Sequence, residues 1–339
     1  MPELSGHARE KRAVLLLAHG TPESADQIPE YLRNITSGRP IPDSVVEEIR
    51  HRYKLIGPSP LTRLTLEQGR LLEEAIAIPV YVAMRNWHPY IADVVGRMRE
   101  DGITSAVAIC LAPQNSRTSV GLYRRAAFAE AGDQIVLEFI DSWAGEPLLA
   151  EAFAERLRPV WQTESAKAGG LVPVVFTAHS VPCRTVQSQP AGDAQKPGSQ
   201  PSPSLDPDPY EQDAKLTAAN VAALLSPAGL APSGWFFAFQ SQGMSGGPWL
   251  GPAVEETLRA IAAEGHRSAI IQPIGFLCDH VEILYDIDIA FQNFGAAIHL
   301  EVARPPSLNS SPLLIEALAG LVRRGLDRLE TKTAATHSA

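Results

Sequence analysis

Eight short apolar runs punctuate the chain: Ala13–Ala18, Pro79–Met84, Ala106–Leu111, Ile135–Ile140, Leu171–Ala178, Trp235–Phe239, Ala269–Ile274 and Ala297–Val302. Runs this short, without polar alternation, are the pattern of strands buried on both faces. Between most of them, residues 65–78, 89–100, 119–131, 146–162, 210–225, 252–264 and 311–329 place apolar residues at helical spacing. Strands alternating with helices predict βαβ units, a mostly parallel sheet and helices on both of its faces. The rhythm breaks near Glu164–Gly170 and then restarts. This predicts an α/β protein of two Rossmann-like, doubly wound halves, 12–165 and 170–328, with a cleft between them.

Three stretches depart from the rhythm. Residues 20–59 follow the first strand and carry two helical patterns, Ala25–Ile35 and Asp43–Ile56. An insertion of that length at a strand end predicts a pocket wall or lid. Residues 188–209, rich in Ser, Pro, Gly and Gln, read as a flexible loop, and 330–339 as a disordered tail.

Ligands of doubly wound sheets bind beyond the carboxyl ends of the strands. Those ends carry His19, Arg85-Asn86-Trp87, Pro113–Ser116, His179, Gln240-Ser241 and Gly275–Glu282. The richest is Ile274–Asp288, where Asp279, His280, Glu282, Asp286 and Asp288 crowd together after a buried strand. On a helix starting near Asp279, the residues Asp279, Glu282 and Asp286 fall at i, i+3 and i+7, along one face. Carboxylates so placed are solvated, exchange protons or hold a hard cation. Asp279 and His280 read better as helix caps than as ligands. Asp286 and Asp288 suit a site or a solvated face equally.

Composition narrows the function classes. The net charge of −9, with no Lys/Arg cluster, argues against a nucleic-acid partner. The polar start and the short first apolar run give neither a signal peptide nor a membrane span. Cys110, Cys183 and Cys278 lie far apart, with no C-x-x-C pair for a disulfide framework or zinc ribbon. The expectation is a cytoplasmic, reduced monomer without stable membrane insertion.

Eight motifs in order resemble the ferrochelatase family: L-L-L-A-H-G-T-P, G-P-S-P-L, M-R-N-W-H-P, F-T-A-H-S-V-P, D-P-Y-E-Q-D, Q-S-Q-G, W-L-G-P and P-I-G-F-L-C-D-H-V-E-I-L-Y-D-I-D. The resemblance runs from about Ala13 to Leu326 and implies Fe²⁺ insertion into a porphyrin in haem synthesis. It implies His179 and Glu282 as the metal and proton residues, with Asp286 as a relay. It implies His19, Arg52, Ser59, Arg85 and Tyr123 as porphyrin contacts.

His19 stands where many relatives have a tyrosine, Thr36 where they have an arginine, and Ala290 where they continue the acidic line. Some relatives hold an iron–sulfur cluster on cysteines near the C-terminus; the last cysteine here is Cys278, so no cluster is expected. Arg and Tyr near the mouth favour coproporphyrin III over protoporphyrin IX as the ring. Two alternatives stay open: a cobalt- or nickel-type chelatase of a sirohydrochlorin-like ring, and a non-catalytic tetrapyrrole-binding protein.

Overall fold

The computed structural model describes residues 11–187, 206–242 and 247–337. The strands are β1 (Arg12–Ala18), β2 (Val80–Met84), β3 (Ser105–Cys110), β4 (Val136–Ile140), β5 (Val174–His179), β6 (Trp235–Gln240), β7 (Ser268–Pro273) and β8 (Glu301–Ala303). The helices are α1 (Ile28–Ile35), α2 (Asp43–Ile56), α3 (Leu61–Ile76), α4 (Ile91–Glu100), α5 (Val120–Ala131), α6 (Pro147–Ala168), α7 (Cys183–Val186), α8 (Tyr210–Leu225), α9 (Val254–Ala263), α10 (Val281–Leu284), α11 (Gln292–Ala297) and α12 (Pro312–His337).

The strands form two parallel four-stranded sheets, ordered β2-β1-β3-β4 and β6-β5-β7-β8. The two orders are the same path through space. In each, the order reverses between the first strand of the half and the third, at β1/β3 and at β5/β7. Such a switch point opens a crevice at the carboxyl ends, because the connecting helices leave to opposite faces.

Burial explains the apolar runs. Val14 and Leu16 of β1 face one way and Ala13, Leu15 and Leu17 the other, yet all are fully buried. The first pair joins a core shared with Val174, Phe176 and Ile270 of the second sheet and with α6, α8 and α12 packed between the sheets. The other three belong to a core under α4 and α5. On the far side of the second sheet, Val175 and Ile271 pack against α9 and α11. Trp161 of α6, buried between the sheets, donates its indole N–H to the Val172 carbonyl at 2.8 Å. The site residues therefore hang from two rigid frames tied by one core.

Three expectations change. Helix α6 runs past the expected break to Ala168 and stops at Gly169, whose φ of 69° suits the left-handed cap. The strand expected over Ala297–Val302 shrinks to β8, because Ala296 and Ala297 close α11 and His299, at φ 59°, makes the turn. The tail expected to be disordered continues α12 to His337, since Thr331–His337 contains no Gly or Pro to stop it. The proposed flexible loop falls outside the described residues except for 206–209.

Candidate active site

Both switch points carry a histidine. His19 follows β1, with its carbonyl accepting from Asn86 N–H at 3.0 Å just after β2. His179 ends β5, with its carbonyl accepting from the Tyr210 hydroxyl at 2.8 Å. Two glycines let the chain turn beside them. A Cβ at Gly20, where φ is 77°, would lie 2.8 Å from the Cβ atoms of Met84 and Trp87. A Cβ at Gly275 would lie 3.1 Å from Ala178 Cα, so glycine there lets the chain leaving β7 pass close to His179. Gly20→Ala is expected to cost about 1–3 kcal/mol in a denaturant titration, from steric crowding and the strained φ together.

His179 Nε2 lies 3.6 Å from Glu282 Oε1, and His280 Nε2 lies 3.6 Å from Glu282 Oε2. The other nitrogen of each ring is pinned to a main-chain oxygen: His179 Nδ1 to the Ser180 carbonyl, and His280 Nδ1 to the Cys278 carbonyl at 3.0 Å. A carbonyl only accepts, so Nδ1 carries the hydrogen in both rings and both Nε2 atoms aim at one carboxylate. Two imidazoles that converge in this way on one carboxylate can share a proton with it. Burial alone would lower His179, but the Glu282 carboxylate raises it above its ordinary value overall. Burial would raise Glu282, but His179 and then His280 hold it well below the usual carboxylate range. About a third of each side chain, 36% for His179 and 31% for Glu282, is open to the cleft.

On the opposite wall His19 turns an exposed ring into the cleft, with Nε2 2.9 Å from the Tyr31 hydroxyl and the Asn86 amide nitrogen 3.2 Å from the ring nitrogens. Crowding by the walls denies its charged form water and lowers the imidazole to about 4. Next to it, the Arg85 guanidinium lies over the Tyr123 ring at 5.4 Å, and Arg85 Nε is buried with no hydrogen-bond partner. Burial pushes the Tyr123 phenol well up, so it stays protonated.

Of the residues singled out in the sequence, His19, Arg85, Tyr123, His179 and Glu282 line one cleft of about 1470 Å³, counting its open mouth. Arg52, Ser59 and Asp286 are not in its wall. Ser59 is 4% exposed and its hydroxyl accepts from Thr21 Oγ1 at 2.9 Å, so it braces a wall residue instead of facing the ring. Arg52 and Asp286 bind each other, at 3.1 Å.

The acidic line along one helical face does not exist. Helix α10 starts only at Val281, and a π-helical turn follows over Asp286–Phe291, closed by Ala290 N–H to the Tyr285 carbonyl at 2.9 Å. Asp279 caps nothing: it accepts from Ser307 Oγ at 2.7 Å and Asn309 Nδ2 at 2.8 Å. Asp288 pairs with Arg304 through two bonds of 2.7 Å. His280 makes no side-chain cap either; it belongs to the site. Tyr31 was legible only as one more apolar-face residue of α1, beside Ile28 and Leu32. Among the described residues no three His, Cys, Asp or Glu side chains form a metal cage, so the cleft offers an open donor pair.

Solved chelatases share this fold. The SirB protein from Bacillus subtilis with Fe³⁺ superposes at a TM-score of 0.55 and 12% identity, over 95% of this chain and 98% of its own, a likeness of fold. Sequence is more specific: a sequence model of the Ferrochelatase family matches residues 11–326. A ferrochelatase from Acidobacterium capsulatum is 64% identical over 325 residues, 96% of this chain and 98% of its own length. A coproporphyrin III ferrochelatase from Geobacillus kaustophilus is 33% identical over 326 residues, 93% of this chain and 96% of its own. The chain belongs to the ferrochelatase family. It is a metal-chelatase enzyme of haem synthesis with Fe²⁺ as its substrate metal, which sets aside the cobalt/nickel and non-catalytic readings. No helix among the described residues is long and apolar enough to cross a membrane.

Proposed function

We propose that this enzyme inserts Fe²⁺ into coproporphyrin III, with the ring held between the His19 wall and the His179–Glu282 wall. The observation that supports this ring is Arg85. Its Nε is buried without a partner, and its guanidinium rests on Tyr123 at the edge of a largely apolar cleft. A buried donor left unpaired is costly, and a ligand carboxylate satisfies it with a charge-assisted bond. Coproporphyrin carries a carboxylate on every pyrrole, so one reaches Arg85 while another lies toward Arg52. Protoporphyrin replaces some of these with vinyl groups.

Metal insertion must remove the two pyrrole N–H protons while the cation sheds water. In this reading His179 Nε2, exposed to the cleft and deprotonated, accepts a pyrrole proton. Glu282 stabilises the imidazolium that results, and between turnovers the same pair offers a nitrogen and an oxygen to the incoming Fe²⁺. His19, kept neutral by its crowded site, presents an uncharged ring that does not repel the cation. Asp286 stands one turn further out as a secondary acceptor. A cytoplasmic monomer without an iron–sulfur cluster accompanies this reading, on the sequence grounds that the three cysteines lie far apart in the chain.

The test is anaerobic Fe²⁺ insertion with coproporphyrin III and protoporphyrin IX in parallel, followed in the visible bands. Coproporphyrin is expected to have the higher kcat/KM. Arg85→Met is expected to raise its KM about tenfold, the loss of one charge-assisted bond. Equal use of both rings, with Arg85→Met silent on either, would remove the coproporphyrin reading.

A further inference from the structure

The Arg52 guanidinium has two roles to fill and holds only one of them in this structure. It comes from α2, in the insertion of the N-terminal half, and crosses to the C-terminal half. There NH1 donates to Asp286 Oδ1 at 3.1 Å, and the guanidinium carbon lies 4.6 Å from the centre of the Tyr285 ring. Its Nε donates to Glu48 Oε1, one turn back on α2, at 3.1 Å. The guanidinium already faces two carboxylates. A third, from a ring, would leave three anions around one cation, which favours the displacement of one of them.

The two existing partners are not equal. Asp286 is the more enclosed, with 12% of its side chain exposed against 49% for Glu48. It also has a second donor, Ser241 Oγ, which bonds its other oxygen. When Arg52 leaves, Ser241 still holds Asp286 in place, and one oxygen is set free. Glu48, by contrast, is a solvated i,i+4 partner that can stay on Nε while NH1 is redirected.

We infer that the Arg52–Asp286 pair is an exchangeable latch: a carboxylate on the incoming ring takes Arg52 and so releases Asp286 as an acceptor. This rests on the reading above that a ring carboxylate lies toward Arg52. It adds an order of events, in which Asp286 becomes available only once a carboxylate-bearing ring is seated. The latch also joins the insertion to the turn that follows Glu282, where Val281 packs on the α1–α2 cluster of Ile28, Tyr31 and Tyr53. An empty cleft thus keeps Asp286 neutralised by Arg52, and a filled one exposes its charge beside the metal path.

The test measures the affinity of metal-free coproporphyrin III, by quenching of protein fluorescence, for the wild type and four variants, one of them the Asp286→Asn/Arg52→Met double. Asp286→Asn keeps an acceptor for Ser241 but removes the charge that competes for Arg52. It is expected to bind the ring about fivefold more tightly, the size of a partly exposed ion pair. In an Arg52→Met background that gain is expected to vanish, and Glu48→Gln is expected to give a smaller gain than Asp286→Asn. Unchanged or weaker binding by Asp286→Asn, with Arg52→Met weakening the ring, overturns the latch and leaves Arg52 as a ring contact. An equal or larger gain from Glu48→Gln overturns it too, by naming the other carboxylate as the one displaced. If Arg52→Met leaves ring affinity unchanged, the latch falls together with the placing of Arg52 beside the ring.

Discussion

His179→Ala is expected to lower kcat for Fe²⁺ insertion by about 10²–10⁴-fold while metal-free coproporphyrin III still binds with little change in affinity. The reason is the division of labour in the cleft. Affinity for the ring comes from apolar walls and from Arg85 over Tyr123, none of which the substitution touches. What alanine removes is the nitrogen beside Glu282 that is more open to the cleft, the His179 side chain being 36% exposed against 11% for His280, and its departure leaves room for a small ring. Added imidazole is therefore expected to restore part of the rate in the variant and none in the wild type. A kcat within a few-fold of wild type would show that His179 is a packed strand end, and would move attention to His19 on the other wall.

The pH profile gives the second large effect, and its sign follows from the pair. His179 is raised above its ordinary 6.5 because Glu282, together with the Ser180 carbonyl and Asp286, outweighs burial. The imidazole works in this reaction only when deprotonated, so kcat/KM is expected to rise with pH through a midpoint above 6.5. Glu282→Gln removes the opposing charge and leaves burial, which lowers the imidazole. The midpoint is expected to move down, while the plateau falls for lack of the carboxylate. The variant thus loses plateau activity and yet suffers less from acid. A midpoint unmoved, or moved up, in Glu282→Gln would mean that another group governs the limb. Measuring Zn²⁺ insertion alongside Fe²⁺ separates an enzyme limb from the chemistry of the iron itself.

How far the sequence carried the argument can be judged from particular residues. The six-residue strand ending in His179 was legible because both faces of the strand are buried, which makes an unbroken apolar run. Glu282 was legible from its type, crowded with other acids after another such run, and from the motif around it. His280 does hold the N-cap position of α10, without a side-chain capping bond; what the sequence did not show is that the extended backbone there, φ −162°, leaves its ring beside Glu282. Tyr31 went unmarked because on one helix an aromatic beside Ile28 and Leu32 gives the same pattern whether it meets packing or a cleft.

The boundary between the two kinds of information lies in sequence distance. Local patterns of burial and turn chemistry determined the eight strands to within a few residues, the parallel class of the sheets and the strand ends where ligands bind. They did so because each depends on neighbours only a few positions away. Tertiary structure alone decided which charged groups meet. Arg52 reaches Asp286 across 234 positions, Arg304 takes Asp288, and Ser307 and Asn309 turn Asp279 away from the cleft. No helical or strand period encodes such pairings. They are set by where two rigid sheets bring their strand ends, and by the need of every buried charge for a partner once they arrive.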